Sequence, residues 1–295
     1  MDTSQLSRIE TGKGFVAALD QSGGSTPGAL GRYGIGPERY SSDAEMFDLI
    51  HAFRTRIITS SAFTGDRVLA AILFEQTMDR HIDDVGIPDY LWDYKQIVPF
   101  VKVDRGLAEA ADGVRLMAPM DDLDDLLERA TARHVFGTKM RSLVQSAHPA
   151  GIDAVLDQQF AAARRILDAG LMPIIEPEVD ITAPDRAACE AMVTAGIIER
   201  LADLPSGTRV MLKLTIPTEP NLYQELIAHR SVLRVVALSG GYGRDEANRL
   251  LALNAGLIAS FSRALTEGLR ADMTDAEFDA ALAASIGSIY TASLT

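Results

Sequence analysis

Short apolar runs rich in β-branched residues recur along the chain, each ending in polar residues and followed by a stretch of helical periodicity. Eight such runs read as strands: 14–20 (GFVAALD), 67–74 (RVLAAILF), 98–104 (VPFVKVD), 134–141 (HVFGTKMR), 172–179 (MPIIEPEV), 209–216 (RVMLKLTI), 232–239 (VLRVVALS) and 256–263 (GLIASFSR). Helical patterns fill the gaps at 42–59, 121–132, 151–169, 184–202, 223–229, 245–254 and 274–290, the last opening on TDAE with capping-box spacing. Strands alternating with helices imply parallel pairing, and eight of them imply closure into an α/β fold, the (β/α)8 TIM barrel. An open doubly wound sheet is the alternative, but it usually carries a GxGxxG turn after the first strand, and DQSGGST does not match. The expected organisation is a single barrel domain over residues 1–295 with a C-terminal helix and tail.

The run RVMLKLTIP at 209–217 carries the most informative pattern. Side chains of a strand alternate, so Val210, Leu212, Leu214 and Ile216 form one apolar face, and Arg209, Met211, Lys213 and Thr215 form the other. An ammonium among strand-forming apolar residues is costly to desolvate. Either a carboxylate pairs with Lys213, or the lysine sheds its proton and becomes a usable amine nucleophile.

In a barrel the active site lies at the C-terminal strand ends. Those ends carry Asp20, Glu75, Lys102 with Asp104, Lys139 with Arg141, Glu176 with Glu178, Lys213, Ser239 and Arg263. Near the starts stand apolar residues such as Val16, Leu69, Val98, Met172 and Leu233. Lysines and carboxylates gathered in one mouth suit imine chemistry: a neutral lysine adds to a ketone, an acid lets the carbinolamine oxygen leave as water, and the iminium accepts electrons from a breaking C–C bond. Lys139 is the cation placed to favour a neutral neighbouring amine. The competing reading is a set of salt-bridged pairs that seals the mouth without chemistry. Two glycine turns, SGGYG at Ser239–Gly243 and QSGGST at Gln21–Thr26, each follow a strand and can turn backbone N–H groups toward a phosphate, and Arg263 adds a cation beside the first.

A formal charge of −13 and a pI near 4.8 argue against nucleic acid or an anionic membrane as partner. A small anion can still be held where basic residues converge. Only Lys13, Lys95, Lys102, Lys139 and Lys213 among the 28 basic residues are lysine, so lysines kept in strands suggest a need for an amine or a compact charge, although GC-rich coding bias explains the arginine excess equally well. The single Cys189, the polar start MDTSQLSRIE and the lack of any long apolar run lead us to expect a cytoplasmic protein. His51, His81, His134, His148 and His229 show no ligand spacing, so no catalytic metal and no cofactor are expected. Cys189 reads as helix packing, and Trp92 with Tyr94 as an anchor beneath a loop.

The stretches GFVAALDQSGGSTP, PFVKVDRGL, FGTKMRS, PIIEPEVD, VMLKLTIP, LSGGYGRDEAN and ASFSRAL resemble, in order, the motifs of class I, Schiff-base-forming fructose-bisphosphate aldolase in its short bacterial form. The resemblance runs from about residue 12 to the C-terminus and implies a (β/α)8 barrel and metal-independent, reversible, glycolytic cleavage of fructose 1,6-bisphosphate to glycerone phosphate and glyceraldehyde 3-phosphate. It makes Lys213 the imine-forming lysine, Glu176 the acid and base of dehydration with Glu178 hydrogen-bonding nearby, and Asp20 the carboxylate that removes the C4 hydroxyl proton. Lys139 and Arg141 support charge and proton transfer, and Lys102 stands near the C4 hydroxyl. Ser239, Gly240, Gly241 and Arg263 match the pocket of the phosphate nearest C1, and Ser22 and Ser25 that of the other phosphate. Two departures stand out. Better-known members carry a basic residue where this chain has Gly28, for which Arg32 is a substitute, and the family's tail tyrosine has no clear equivalent, since Tyr290 falls inside a helical pattern. The partner implied is a sugar phosphate; specificity at C4, including tagatose bisphosphate, and homo-oligomer formation are left open, as is a non-catalytic sugar-phosphate sensor.

Overall fold

The two-residue period of the strands sorts their side chains into two apolar cores, one outside the sheet and one inside it. In the computed structural model, which describes residues 1–22 and 24–295, the strands are β1 (Phe15–Leu19), β2 (Val68–Leu73), β3 (Val98–Lys102), β4 (Gly137–Val144), β5 (Met172–Val179), β6 (Val210–Thr215), β7 (Val232–Leu238) and β8 (Ile258–Phe261). Each pairs in parallel with the next, and β8 pairs in parallel with β1 through Val16↔Ser260 and Ala17↔Phe261, so the sheet closes into the expected (β/α)8 barrel. Around it lie α1 (Thr3–Thr11), α2 (Thr26–Tyr33), α3 (Asp43–Thr59), α4 (Leu123–Ala132), α5 (Pro149–Asp168), α6 (Arg186–Ala202), α7 (Gln224–Ala228), α8 (Arg244–Leu251) and α9 (Asp275–Ala292).

On β6, Val210, Leu212 and Leu214 join the core beneath the helices, while Met211 joins the core that fills the barrel with Ile72, Phe100, Ile174 and Val236. Lys213 therefore points inward, one layer above Met211. The polar N-terminal stretch forms α1, a helix that the sequence pattern does not announce. Asp2 caps it, its Oδ1 accepting from the Ser4 and Gln5 amides at 2.8 Å each. Ile9 is buried in the inner core, and Arg234 of β7 donates to the Ile9 and Gly12 carbonyls at 3.0 and 2.8 Å. Burying one such isoleucine contributes about 2 kcal/mol. The helix stops the N-terminal end of the barrel and leaves the C-terminal mouth open.

Boundaries move at two strands. β4 begins at Gly137 rather than at His134, whose φ of 57° lies in the left-handed region, and runs on to Val144 because Val114 and Arg115 pair with Val144 and Leu143 in an antiparallel rung. β8 ends at Phe261, so Arg263 opens a helical turn instead of closing a strand. The capping box of α9 forms in full between Thr274 and Glu277. The chain end is tied to the start of β8, Gly256 N donating to the Thr295 carbonyl at 3.0 Å. Trp92 does pack on the inner core, but Tyr94 is exposed, its ring stacked on Tyr90 at 5.1 Å, and is no anchor. Among the described residues no helix is long and apolar enough to cross a membrane.

Candidate active site

The inward positions at the strand ends converge on one cavity of about 690 Å³, where seven basic side chains meet four carboxylates. The excess of cations stands against the −13 of the whole chain, so the mouth focuses positive potential that the outer surface lacks.

At its floor is a chain of charges. Lys213 Nζ on β6 lies 3.0 Å from Glu176 Oε1, and Lys139 Nζ on β4 lies 3.1 Å from Oε2 of the same carboxylate and 2.7 Å from Asp20 Oδ2. The register places β5 between β4 and β6, which is why one glutamate reaches both lysines. Of the two readings of Lys213, pairing with a carboxylate is therefore the one this geometry adopts. Lys139 is ion-paired with both Asp20 and Glu176. Its contact with Glu176 Oε2 is an ion pair outside hydrogen-bond angles, and that buried oxygen accepts no hydrogen bond among the described residues. It is the acceptor with capacity to spare.

Burial alone would raise the Asp20 carboxyl, but Lys139, Lys213 and Lys102 outweigh it and hold it well below the usual carboxylate range. Burial likewise opposes charge on Lys139, yet Asp20, Glu176 and Asp104 drive its ammonium above the ordinary lysine range. Lys102 turns onto Asp104, 2.6 Å from both its Oδ1 and its carbonyl oxygen, and Asp104 Oδ2 accepts from the Arg141 amide at 3.2 Å. Glu178 accepts from Arg141 Nε instead of joining Glu176, and this pair holds the guanidinium charged despite burial.

Ser239 and Gly240 line the cavity, whereas Gly241 lies behind them against Arg263. Gly240 has φ 62°, and a Cβ there would stand 2.5 Å from Ile181 Cγ2, so the turn needs glycine for conformation and for room. Ser22 and Ser25 line the cavity too, with the Ser22 amide donating to Ser25 Oγ at 3.0 Å; Gly23 of that turn lies outside the described residues. Glu75 is not in the mouth. β2 ends before it, the chain turns into a short helix, and Glu75 pairs with Arg105 and Arg129.

Several lining residues were not foreseen. Ser260 faces inward beside Val16, as the alternation of β8 would have indicated, and its buried hydroxyl has no hydrogen-bond partner among the described residues. Arg115 reaches the cavity from the two-residue strand Val114–Arg115, and Ser262 from the turn after β8. Arg54 of α3 is buried beneath it, donating to Thr77 Oγ1 at 2.7 Å and to the Gln21 carbonyl, its guanidinium lowered to about 10 by burial. No residue spacing marks such a helical arginine. Cys189 is buried, its thiol pushed up to about 12 by that burial, as suits packing. Among the described residues no group of three His, Cys, Asp or Glu side chains is placed to hold a metal ion.

Comparisons with known proteins converge. The family model described as glycolytic fructose-bisphosphate aldolase class-I matches residues 7–219. The fructose-bisphosphate aldolase class 1 of Synechocystis sp. is 58% identical over 291 residues, which span 99% of this chain and 97% of that one. A fructose-bisphosphate aldolase from Plasmodium falciparum, solved with TRAP and a small-molecule inhibitor, shares the fold at TM-score 0.76 and 19% identity, over 98% of this chain and 93% of its own. An archaeal fructose-1,6-bisphosphate aldolase, solved with its catalytic lysine covalently bound to the carbinolamine intermediate, shares it at TM-score 0.51 and 12% identity, over 98% and 99%.

Proposed function

The chain belongs to the class I fructose-bisphosphate aldolase family, and from that premise we propose that Lys213 forms the imine through which fructose 1,6-bisphosphate is reversibly cleaved. The observation that carries this assignment is the position of Lys213 Nζ, buried at the mouth 3.0 Å from Glu176.

The amine of Lys213 adds to the C2 carbonyl, and Glu176 supplies the proton that lets the carbinolamine oxygen depart as water. The iminium draws the C3–C4 bonding electrons while Asp20 takes the C4 hydroxyl proton, releasing glyceraldehyde 3-phosphate. The enamine gains a proton at C3, which balances the one Asp20 removed. Hydrolysis, with Glu176 taking its proton back, frees glycerone phosphate and Lys213. Lys139 holds positive charge beside both carboxylates, and Arg141 keeps Glu178 occupied. Lys102 stands by the C4 hydroxyl. Ser239, the Gly240 and Gly241 amides and Arg263 take the phosphate on C1, and Ser22 and Ser25 the phosphate on C6. The lone, buried Cys189 suits a reducing cytoplasm.

Borohydride reduction in the presence of glycerone phosphate, followed by peptide mass mapping, tests the assignment. The expected result is inactivation with one adduct on Lys213. An adduct on Lys139 or Lys102 would move the imine elsewhere, and no adduct on any lysine would leave only sugar-phosphate binding.

A further inference from the structure

The ion pairs of the mouth leave three arginines over. Each of its carboxylates is engaged by a lysine or by Arg141, whereas Arg32, Arg115 and Arg263 line the cavity with no carboxylate within 4.0 Å among the described residues. Uncompensated guanidinium groups around a cavity call for an anionic ligand. Arg263 follows β8, beside the SGG turn. Arg115 sits between β3 and α4, in the two-residue strand Val114–Arg115 that pairs with β4 through Leu143. In an eight-stranded ring β4 stands opposite β8, so the two arginines face each other across the mouth.

We propose that Arg115 is the cation that grips the substrate phosphate remote from C1, supplying the charge this chain lacks at Gly28. This rests on the bisphosphate reading above and adds a residue to it. Two features favour Arg115 over Arg32, which is exposed at the last turn of α2. First, its guanidinium is pre-positioned: Nε donates to the Ala108 carbonyl at 2.8 Å and Nη2 to the Leu107 carbonyl at 3.3 Å, while Nη1 has no acceptor among the described residues. Second, the loop that carries it is itself pinned, with Ala108 N donating to the Leu116 carbonyl at 2.9 Å and Ala118 N to the Gly106 carbonyl at 3.0 Å. A side chain already ordered loses little freedom when its ligand arrives.

The test compares fructose 1,6-bisphosphate with fructose 1-phosphate, which lacks the remote phosphate, in wild type, Arg115→Gln and Arg115→Lys. The readout is the ratio of kcat/KM for the two substrates. Arg115→Gln keeps N–H donors for the loop carbonyls but removes the charge. It should lower the ratio about 30-fold, the scale of a lost charge-assisted phosphate contact. Arg115→Lys should recover part of that loss. A ratio within about 2-fold of wild type in Arg115→Gln, even with both rates reduced, would mean that Arg115 only braces its loop and would overturn the proposal. Wild-type protein that cleaves neither sugar would overturn the parent reading as well.

Discussion

Lys213 Nζ lies 3.0 Å from Oε1 of Glu176, and no other carboxylate among the described residues comes within 4.0 Å of it. In the proposed mechanism, the proton this ammonium sheds before attacking a carbonyl thus has one acceptor in reach, and the same carboxylate holds a second oxygen without a hydrogen bond. Glu176→Gln keeps the shape and a partner for Lys213 but cannot exchange a proton. We expect kcat to fall about 10²-fold or more, the usual scale for a general acid, with a slower approach to the borohydride-trappable imine in quenched time courses. A kcat within about 3-fold of wild type would assign dehydration to another group.

The Asp20–Lys139 pair predicts a pH signature in stability. The Asp20 carboxyl is depressed in the folded state, so its contribution is present above its ordinary value near 4 and is lost as pH falls toward the folded value. The Lys139 ammonium is raised, so its contribution is present below about 10.4 and is lost only as pH rises beyond that. Urea midpoints should therefore be insensitive to this pair between about pH 5 and 9, and each group adds a slope of at most about 1.4 kcal/mol per pH unit outside that window. Asp20→Asn should flatten the acid side, and Lys139→Met the alkaline side. Parallel curves for wild type and Asp20→Asn below pH 4 would contradict the assigned direction.

The eight strands are legible in the chain because each is a mostly apolar run whose ionisable residues gather toward its end, a pattern that suits burial inside a closed barrel. The site is legible for the same reason: alternation along β4, β5 and β6 turns Lys139, Glu176 and Lys213 to the same side. What is illegible depends on tertiary contacts. α1 is short and polar and buries only Gln5 and Ile9, so no apolar stripe announces it, and only the open bottom of the barrel gives it a place. Glu75 reads as a strand end, yet the chain bends one residue before it and turns it away. Arg54 lies beneath the mouth on a helix and Arg115 reaches it from a two-residue strand, and no local pattern encodes either path.

The SGG turn after β7, proposed above to bind a phosphate, makes a steric prediction. Gly240→Ala places a Cβ about 2.5 Å from Ile181 Cγ2 at a φ of 62°. The expected cost is about 1–3 kcal/mol of stability, seen as a lowered melting temperature, with a raised KM for phosphorylated ketoses as the amides shift. Unaltered KM and melting temperature would mean that the turn bears no strain and does not touch the phosphate.

The electron sink of the proposed reaction is an iminium on Lys213, which needs no Lewis acid to polarise the carbonyl. Exhaustive treatment with EDTA should leave kcat and KM within experimental error of the untreated enzyme. Loss of activity that returns on adding a divalent cation would point to a metal-assisted step.

Tyr290 lies far down the barrel wall rather than at the mouth. The Arg67 guanidinium, just before the start of β2, lies 5.9 Å from its ring centroid, and Arg67 also lies against Gly287 of the same helix. The five residues after Tyr290 end tied to Gly256, before β8 begins, so the end of the chain is held at the face opposite the candidate site. A phenol in that position cannot deliver a proton to C3. Tyr290→Phe, which keeps the ring under Arg67, should therefore change kcat by less than about 2-fold and leave solvent exchange of the C3 proton of glycerone phosphate at its wild-type rate. A fall of about 10-fold or more in either quantity would show that the tail leaves its mooring and reaches over the mouth during turnover.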